Sequence, residues 1–220
     1  MIDAGTGVHL WADHFDGAPE DIFNLQDRVT TSVVGAVAPK LEQAEIERAK
    51  HKPTESLDAY DCYLRGLANR YQRTRPALNE ALSLFYRAID LDPQFAAAYG
   101  QASWCYVIRQ VQGWMTDWDS DSAEATRLAR KAVALGKDDA VALSVGSFAL
   151  TYFVRDFDAG ILFNDRAQQL NPHFALAWYL SGWLRIYFGE HDLAIKHFAQ
   201  FQRMSPLEEL RYSQVSVRFR

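Results

Sequence analysis

The sequence predicts an all-α protein, a superhelix of stacked helical hairpins, and three observations predict it. Pro172 and Pro206 lie 34 residues apart and bracket two segments with apolar residues at helical spacing. The stop signal Leu91-Asp92-Pro93 returns as Leu170-Asn171-Pro172. Small and aromatic residues also recur at matching offsets before these prolines: Ala81, Phe85 and Ala88 precede Pro93 as Ala194, Phe198 and Phe201 precede Pro206.

Between Pro172 and Pro206, Trp178 and Gly182 fall on a first helix, Gly189 in a turn, and Ala194 and Phe198 on a second helix. Gly182 permits close approach of the paired helix, Ala194 is the small residue at the crossing, and Phe198 fills the space between successive hairpins. Each proline ends the second helix of a pair because its ring carries no amide hydrogen. This pattern resembles the tetratricopeptide repeat. The resemblance implies a right-handed α-α superhelix with a concave inner groove.

Four hairpins follow over residues 53–206. The first lies near residues 55–93, its first helix running from Leu57 through Gly66 to Tyr71. The second, from Phe95 to Leu135, has Ala125, Ala129 and Ala132 at the crossing and Gly136-Lys137-Asp138 in place of the proline stop. It is stretched by about ten residues relative to the 34-residue period. The third runs from Asp139 to Pro172 and the fourth to Pro206. One hairpin cannot bury its apolar face alone, so stability must come from stacking each on the next. The first helices are expected to line the groove with Tyr60, Tyr63 and Tyr71, then Trp104 and Ile108, then Phe148 and Tyr152, then Tyr179, Trp183 and Tyr187. Aromatic rings give large contact area at small rotamer cost, which suits a protein or peptide ligand. The alternative is that individual rings pack between hairpins.

Residues 1–52 read differently, as a partial sheet and linker region. Val8, Leu10, Ala12 and Phe15 roughly alternate with polar residues after Gly5-Thr6-Gly7, which predicts a β-hairpin over residues 1–17. That Gly-x-Gly has no following lysine and opens no helix, so it is not a phosphate loop. A long helix over 19–50 starts at Pro19, with Glu20 and Asp21 in its first turn and an apolar stripe of Ile22, Leu25, Val29, Val33 and Val37. Pro39 is expected to kink it. The charged stretch from Leu41 to Lys52 is expected to be a solvated connection, and Thr54 to cap the next helix. The tail, 207–220, alternates Val215, Val217 and Phe219 and lacks a polar capping helix. An isolated two-stranded ribbon is marginal and an uncapped array exposes apolar faces, so both ends read as incomplete, with self-association through them expected.

Composition excludes several functions. A formal charge of −5 disfavours a phosphate-binding surface, and the only basic excess is Arg211, Arg218 and Arg220 at the end. No apolar run reaches the roughly 20 residues a membrane span needs. Cys62 and Cys105 are read as small buried residues of a protein in a reducing cytoplasm. His9, His14, His51, His173, His191 and His197 show no metal-binding spacing. Asp117, Asp119 and Asp121 mimic the opening of a calcium loop, but Ser122 replaces its glycine and Leu128 its bidentate glutamate. Asp121 with Glu124 reads instead as a capping box for a helix from Ala123 to Leu135. Trp114, Met115 and Trp118 before it are expected to fold back over the hairpin below, or else to form a lid on the groove. No cofactor, metal site or catalytic nucleophile is expected.

Ile2-Asp3-Ala4, Gly7, His9-Leu10-Trp11-Ala12, Phe15-Asp16-Gly17, Asp21-Ile22-Phe23, Leu25-Gln26-Asp27 and Pro39-Lys40-Leu41 resemble the linker of bacterial class III adenylate/guanylate cyclase-type proteins. There a small sheet domain joins the catalytic domain to tetratricopeptide repeats. Asp58-Ala59-Tyr60, Arg65-Gly66, Phe85-Tyr86-Arg87-Ala88-Ile89 and Gly136-Lys137-Asp138-Asp139 continue the resemblance, which covers roughly residues 1–206. The family's catalytic domain would precede Met1, so the resemblance implies a regulatory or docking role without catalysis. A second reading comes from bacterial transcription regulators, in which a similar sheet-plus-repeat region follows a winged-helix domain.

Overall fold

The computed structural model describes residues 22–51 and 58–204. The expected β-hairpin over 1–17, the Thr54 cap and the tail 207–220 lie outside the described residues. Within them the chain is helical, in the order α1 (Ile22–His51), α2 (Ala59–Tyr71), α3 (Arg75–Leu91), α4 (Ala96–Val111), α5 (Trp118–Leu135), α6 (Ala140–Val154), α7 (Phe157–Leu170), α8 (Ala175–Phe188) and α9 (His191–Met204). Helices α2 to α9 pack as four successive hairpins, α2/α3, α4/α5, α6/α7 and α8/α9. Each second helix also touches the first helix of the next hairpin, and α4, α6 and α8 lie side by side. This is an all-α helical-repeat superhelix.

Its hairpins close on glycine-to-ring contacts. A Cβ added at Gly66 would sit 2.5 Å from Phe85 Cε1, and one at Gly182 would sit 2.6 Å from Phe198 Cε1. The terminal hairpins therefore use the same device, a bare helix face that admits a phenyl ring. The middle hairpins use smaller pairs at the same offsets. Ser103 and Ala129 take the two positions in the second, Ser147 and Asn164 in the third, and all four are buried.

The Leu-Asx-Pro stops owe as much to the aspartate or asparagine as to the proline. Asp92 Oδ1 accepts the Gln94 amide at 2.9 Å, and Asn171 Oδ1 accepts the His173 amide at 3.1 Å. Such side-chain turns satisfy amides that the ended helix leaves open. The proline carbonyls are used in turn: Tyr99 Oη donates to the Pro93 carbonyl at 3.3 Å and Trp178 Nε1 to that of Pro172 at 2.8 Å. An aromatic six residues after each proline thus anchors the next hairpin to the turn.

Pro39 lies within one continuous helix from Ile22 to His51, which has the expected length. One expectation about α1 is corrected. The charged stretch after Leu41 is docked: Ile46 and Ala49 are 1% and 0% exposed and belong to the core around α2, α3 and α4. Their charged neighbours Glu42, Glu45, Glu47 and Arg48 conceal a narrow apolar edge that suffices to seat the helix. A second correction concerns α5, which starts a turn earlier than Ala123. Asp117 caps it, accepting the Ser120 amide at 3.2 Å, so this aspartate is occupied by helix capping.

Candidate protein-interaction surface

Helices α2, α4, α6 and α8 place the ten expected contact residues, and the structure divides them. Trp104 and Phe148 are only 2% and 1% exposed, their rings 5.4 Å apart edge to face, and they bind the second hairpin to the third. Tyr63, Tyr152 and Tyr179 are buried as well. Tyr63 packs its ring 5.0 Å from Phe95 and 5.9 Å from Phe85, and Tyr179 packs 5.2 Å from Phe201. Trp104 and Phe148 thus meet across facing first helices, whereas Tyr63 and Tyr179 pack against the second helices of their own hairpins. Tyr71, Ile108, Trp183 and Tyr187 are half-buried, and Tyr60 is 43% exposed.

The ten do not form one open row. One continuous chain of rings runs through Trp104, Phe148, Tyr187 and Trp183, with centroid steps of 5.4, 6.4 and 6.1 Å. The tyrosines of α2 form a second group, held by α1. Tyr71 Oη donates to Glu42 at 2.7 Å and Tyr60 Oη donates to Glu45. Arg65 reaches the carbonyls of Ala49 and Lys50 at 2.9 and 3.3 Å. Burial, then the bond to Glu45, pushes the Tyr60 hydroxyl up to about 12. Glu42 and Glu45 are contact residues that sequence reasoning misses, although their spacing with Ile46 and Ala49 marks a single helix face.

Ionisable groups elsewhere serve packing. Arg185 forks between both oxygens of Asp165 and Glu190 Oε2, each at 2.7 Å, tying α7, α8 and the turn into α9. His197 Nδ1 lies 2.8 Å from Ser181 Oγ under the edge of Trp178, and burial, then the positive charge of Arg185, lowers its pKa. Cys62 and Cys105 are free and buried, and burial pushes the Cys105 thiol up to about 12. A thiol held protonated in this way is a poor nucleophile. Among the described residues no group of three His, Cys, Asp or Glu side chains could hold a metal ion, and no helix is long and apolar enough to cross a membrane.

The segment before α5 folds back, Trp114 and Met115 packing on the core of the first two hairpins, and Trp118, the first residue of α5, places its ring 5.9 Å from Phe153 of α6. On the outer side of α5 lies a cleft of about 630 Å³, lined in part by Thr126, Arg127, Arg130, Lys131 and Phe153. The three-and-four spacing of its cations on α5 is the sequence signal for it.

Fold and surface together define an all-α helical-repeat protein, whose buried aromatic residues pack between helices. The chain is similar to a protein of Rhizobium meliloti (strain 1021) named "Putative adenylate cyclase 3", 33% identical over 133 residues, which are 60% of this chain and 23% of that protein. It therefore spans about a quarter of the relative's length and resembles a region of a cyclase-type protein. No protein-family model matches the chain. Among solved structures, MamA residues 41 to the end from Desulfovibrio magneticus RS-1 aligns with a TM-score of 0.44 at 18% identity, covering 90% of this chain and 99% of that one. YrrB, described as a TPR protein with an unusual peptide-binding site, aligns with a TM-score of 0.38 at 19% identity, covering 71% and 91%.

Proposed function

We propose that this chain is a protein-interaction scaffold, the docking or regulatory part of a nucleotide-cyclase-type signalling protein, and that it performs no catalytic step itself. The observation that carries the reading is the arrangement of the hairpin stack. Asp58, Asp117, Asp139 and Asp156 cap helices and Arg185 is held in ion pairs, while half-buried rings and aliphatic side chains line the first helices. Reactive chemistry needs a nucleophile within reach of a base with a matched pKa. Contact chemistry needs rigid apolar area framed by polar groups. The second description fits this surface.

The partner is a protein or peptide, and its seat is the inner side of α6 and α8, which carries the half-buried rings of Trp183 and Tyr187. The test is calorimetric binding of the chain to the catalytic part of a cyclase-type protein from the same organism. Trp183→Ala with Tyr187→Ala should abolish the heat of binding while the helical circular-dichroism signal persists. Unchanged binding would defeat the proposed seat. Nucleotide-cyclase turnover by the isolated chain would defeat the non-catalytic reading.

A further inference from the structure

Helix α5 turns one side to solvent, and that side borders the cleft of about 630 Å³. Its lining runs from Ser122 to Ala134, a length of about 18 Å at 1.5 Å per residue. Within it Arg127, Arg130 and Lys131 are exposed, and spacings of three and four put them on one face of the helix. The chain as a whole carries a formal charge of −5, so the cleft reverses the sign locally.

The three cations are held differently. Arg127 donates from Nε to Glu124 Oε2 at 2.7 Å and from Nη2 to Glu124 Oε1 at 2.8 Å. Glu124 Oε1 also accepts the Tyr86 hydroxyl at 2.7 Å, and that hydroxyl lies 3.1 Å from the Tyr106 hydroxyl. The guanidinium is thereby fixed against α3 and α4 and neutralised, while Glu124 takes only two of the five N–H donors an arginine offers. Arg130 and Lys131 have no hydrogen-bond or ion-pair partner among the described residues, so they carry the uncompensated charge. The N-terminal end of the cleft is apolar. Phe153, which lines it, stacks near Trp118 at the start of α5, and Trp118 and Val154 are exposed beside it. Asp119 and Asp121 in the first turn of α5 disfavour an anion at that end.

We propose that this cleft docks an acidic, extended segment of another protein, with one bulky apolar side chain at Phe153 and Trp118 and carboxylates on Arg130, Lys131 and the spare donors of Arg127. Extended chain advances about 3.3 Å per residue, so about five residues fill the length of the cleft. A carboxylate matches the guanidinium fork. Nucleic acid is the poorer fit, because its affinity grows with the number of phosphates neutralised and only two of these cations are uncompensated. The site shares no residue with the inner seat at Trp183 and Tyr187.

Fluorescence anisotropy on the full chain tests it with a labelled peptide of one phenylalanine followed by glutamates, and with relatives carrying glutamine for glutamate or glycine for phenylalanine. The acidic peptide should bind saturably at low salt, the glutamine peptide about tenfold more weakly, and the glycine peptide about threefold more weakly. Arg130→Glu/Lys131→Glu should weaken binding by about tenfold or more. Lys196→Glu/Arg203→Glu, an equal change of charge at exposed positions of α9, should leave it unchanged. Circular dichroism confirms that both variants keep their helices. Absence of saturable binding, equal weakening by the two charge reversals, or undiminished affinity for the glutamine or glycine peptide overturns the site. Displacement of the peptide by a single-stranded oligonucleotide at lower concentration than by unlabelled peptide assigns the cleft to nucleic acid and overturns the protein segment. Binding lost in Trp183→Ala/Tyr187→Ala but kept in Arg130→Glu/Lys131→Glu places the peptide on the inner side and overturns the α5 cleft while leaving the scaffold reading in place.

Discussion

Replacing Gly66 by alanine puts the central packing claim at risk. In an exposed helix the change would stabilise by about 1 kcal/mol, because alanine is the better helix former. Here the new Cβ would lie 2.5, 2.8 and 2.9 Å from three atoms of the Phe85 ring. Ordinary carbon contacts need about 3.5 Å or more, so the ring must retreat by roughly 1 Å. It has little room: Phe85 is fully buried and packs 5.9 Å from the Tyr63 ring. Overpacking of this kind costs about 1–3 kcal/mol, so the net expectation is a loss of up to about 2 kcal/mol. Urea unfolding followed by circular dichroism reads the sign. Phe85→Leu in the same chain removes the atoms that clash, so the double variant should be about 1 kcal/mol more stable than the sum of the two single losses implies. A Gly66→Ala chain more stable than the parent would refute the close approach of α2 to α3.

The third hairpin offers a sharper version: a Cβ on Gly160 would fall 1.8 Å from Thr151 Oγ1, so Gly160→Ala should destabilise and Thr151→Ala should partly restore thermal stability. Arg185→Lys should cost about 1 kcal/mol in urea unfolding, because an ammonium cannot hold Asp165 through two bonds while also meeting Glu190. Burial, then the charge of Arg185, depresses the His197 pKa against the opposing pull of Asp165 and Glu190. The unfolded chain therefore takes up the proton first, and stability should be full above the unfolded value of 6.5 and fall as pH drops from there toward the lower folded pKa. His197→Asn should remove that part of the pH dependence of the urea midpoint. Ile46→Asp should release the end of α1 from α2, seen as faster amide exchange over residues 42–50.

The helical hairpins are legible in the sequence because their signals are local. Leu-Asx-Pro stops, the paired Gly182 and Phe198, and the 34-residue spacing each act within one hairpin of chain. The capping chemistry is only half legible, since the proline is conspicuous while the turn-closing role of Asp92 and Asn171 depends on side-chain direction. The surface is the least legible part. Helical spacing puts Trp104 and Phe148 on one side of their helices, but only the distance between stacked first helices decides whether such a ring meets solvent or another ring. For α1, charge density suggests a solvated rod, and burial of two small apolar positions, Ile46 and Ala49, decides otherwise.

A chain of stacked hairpins ordinarily frays from its ends, each terminal unit leaving independently of the far one. The contact of α1 with both α2 and α9 joins the two extremities into a loop. Melting at either margin must then break the same clasp, so the solenoid acquires a cooperativity that nearest-neighbour stacking alone does not give it, and loosening the clasp loosens both margins together.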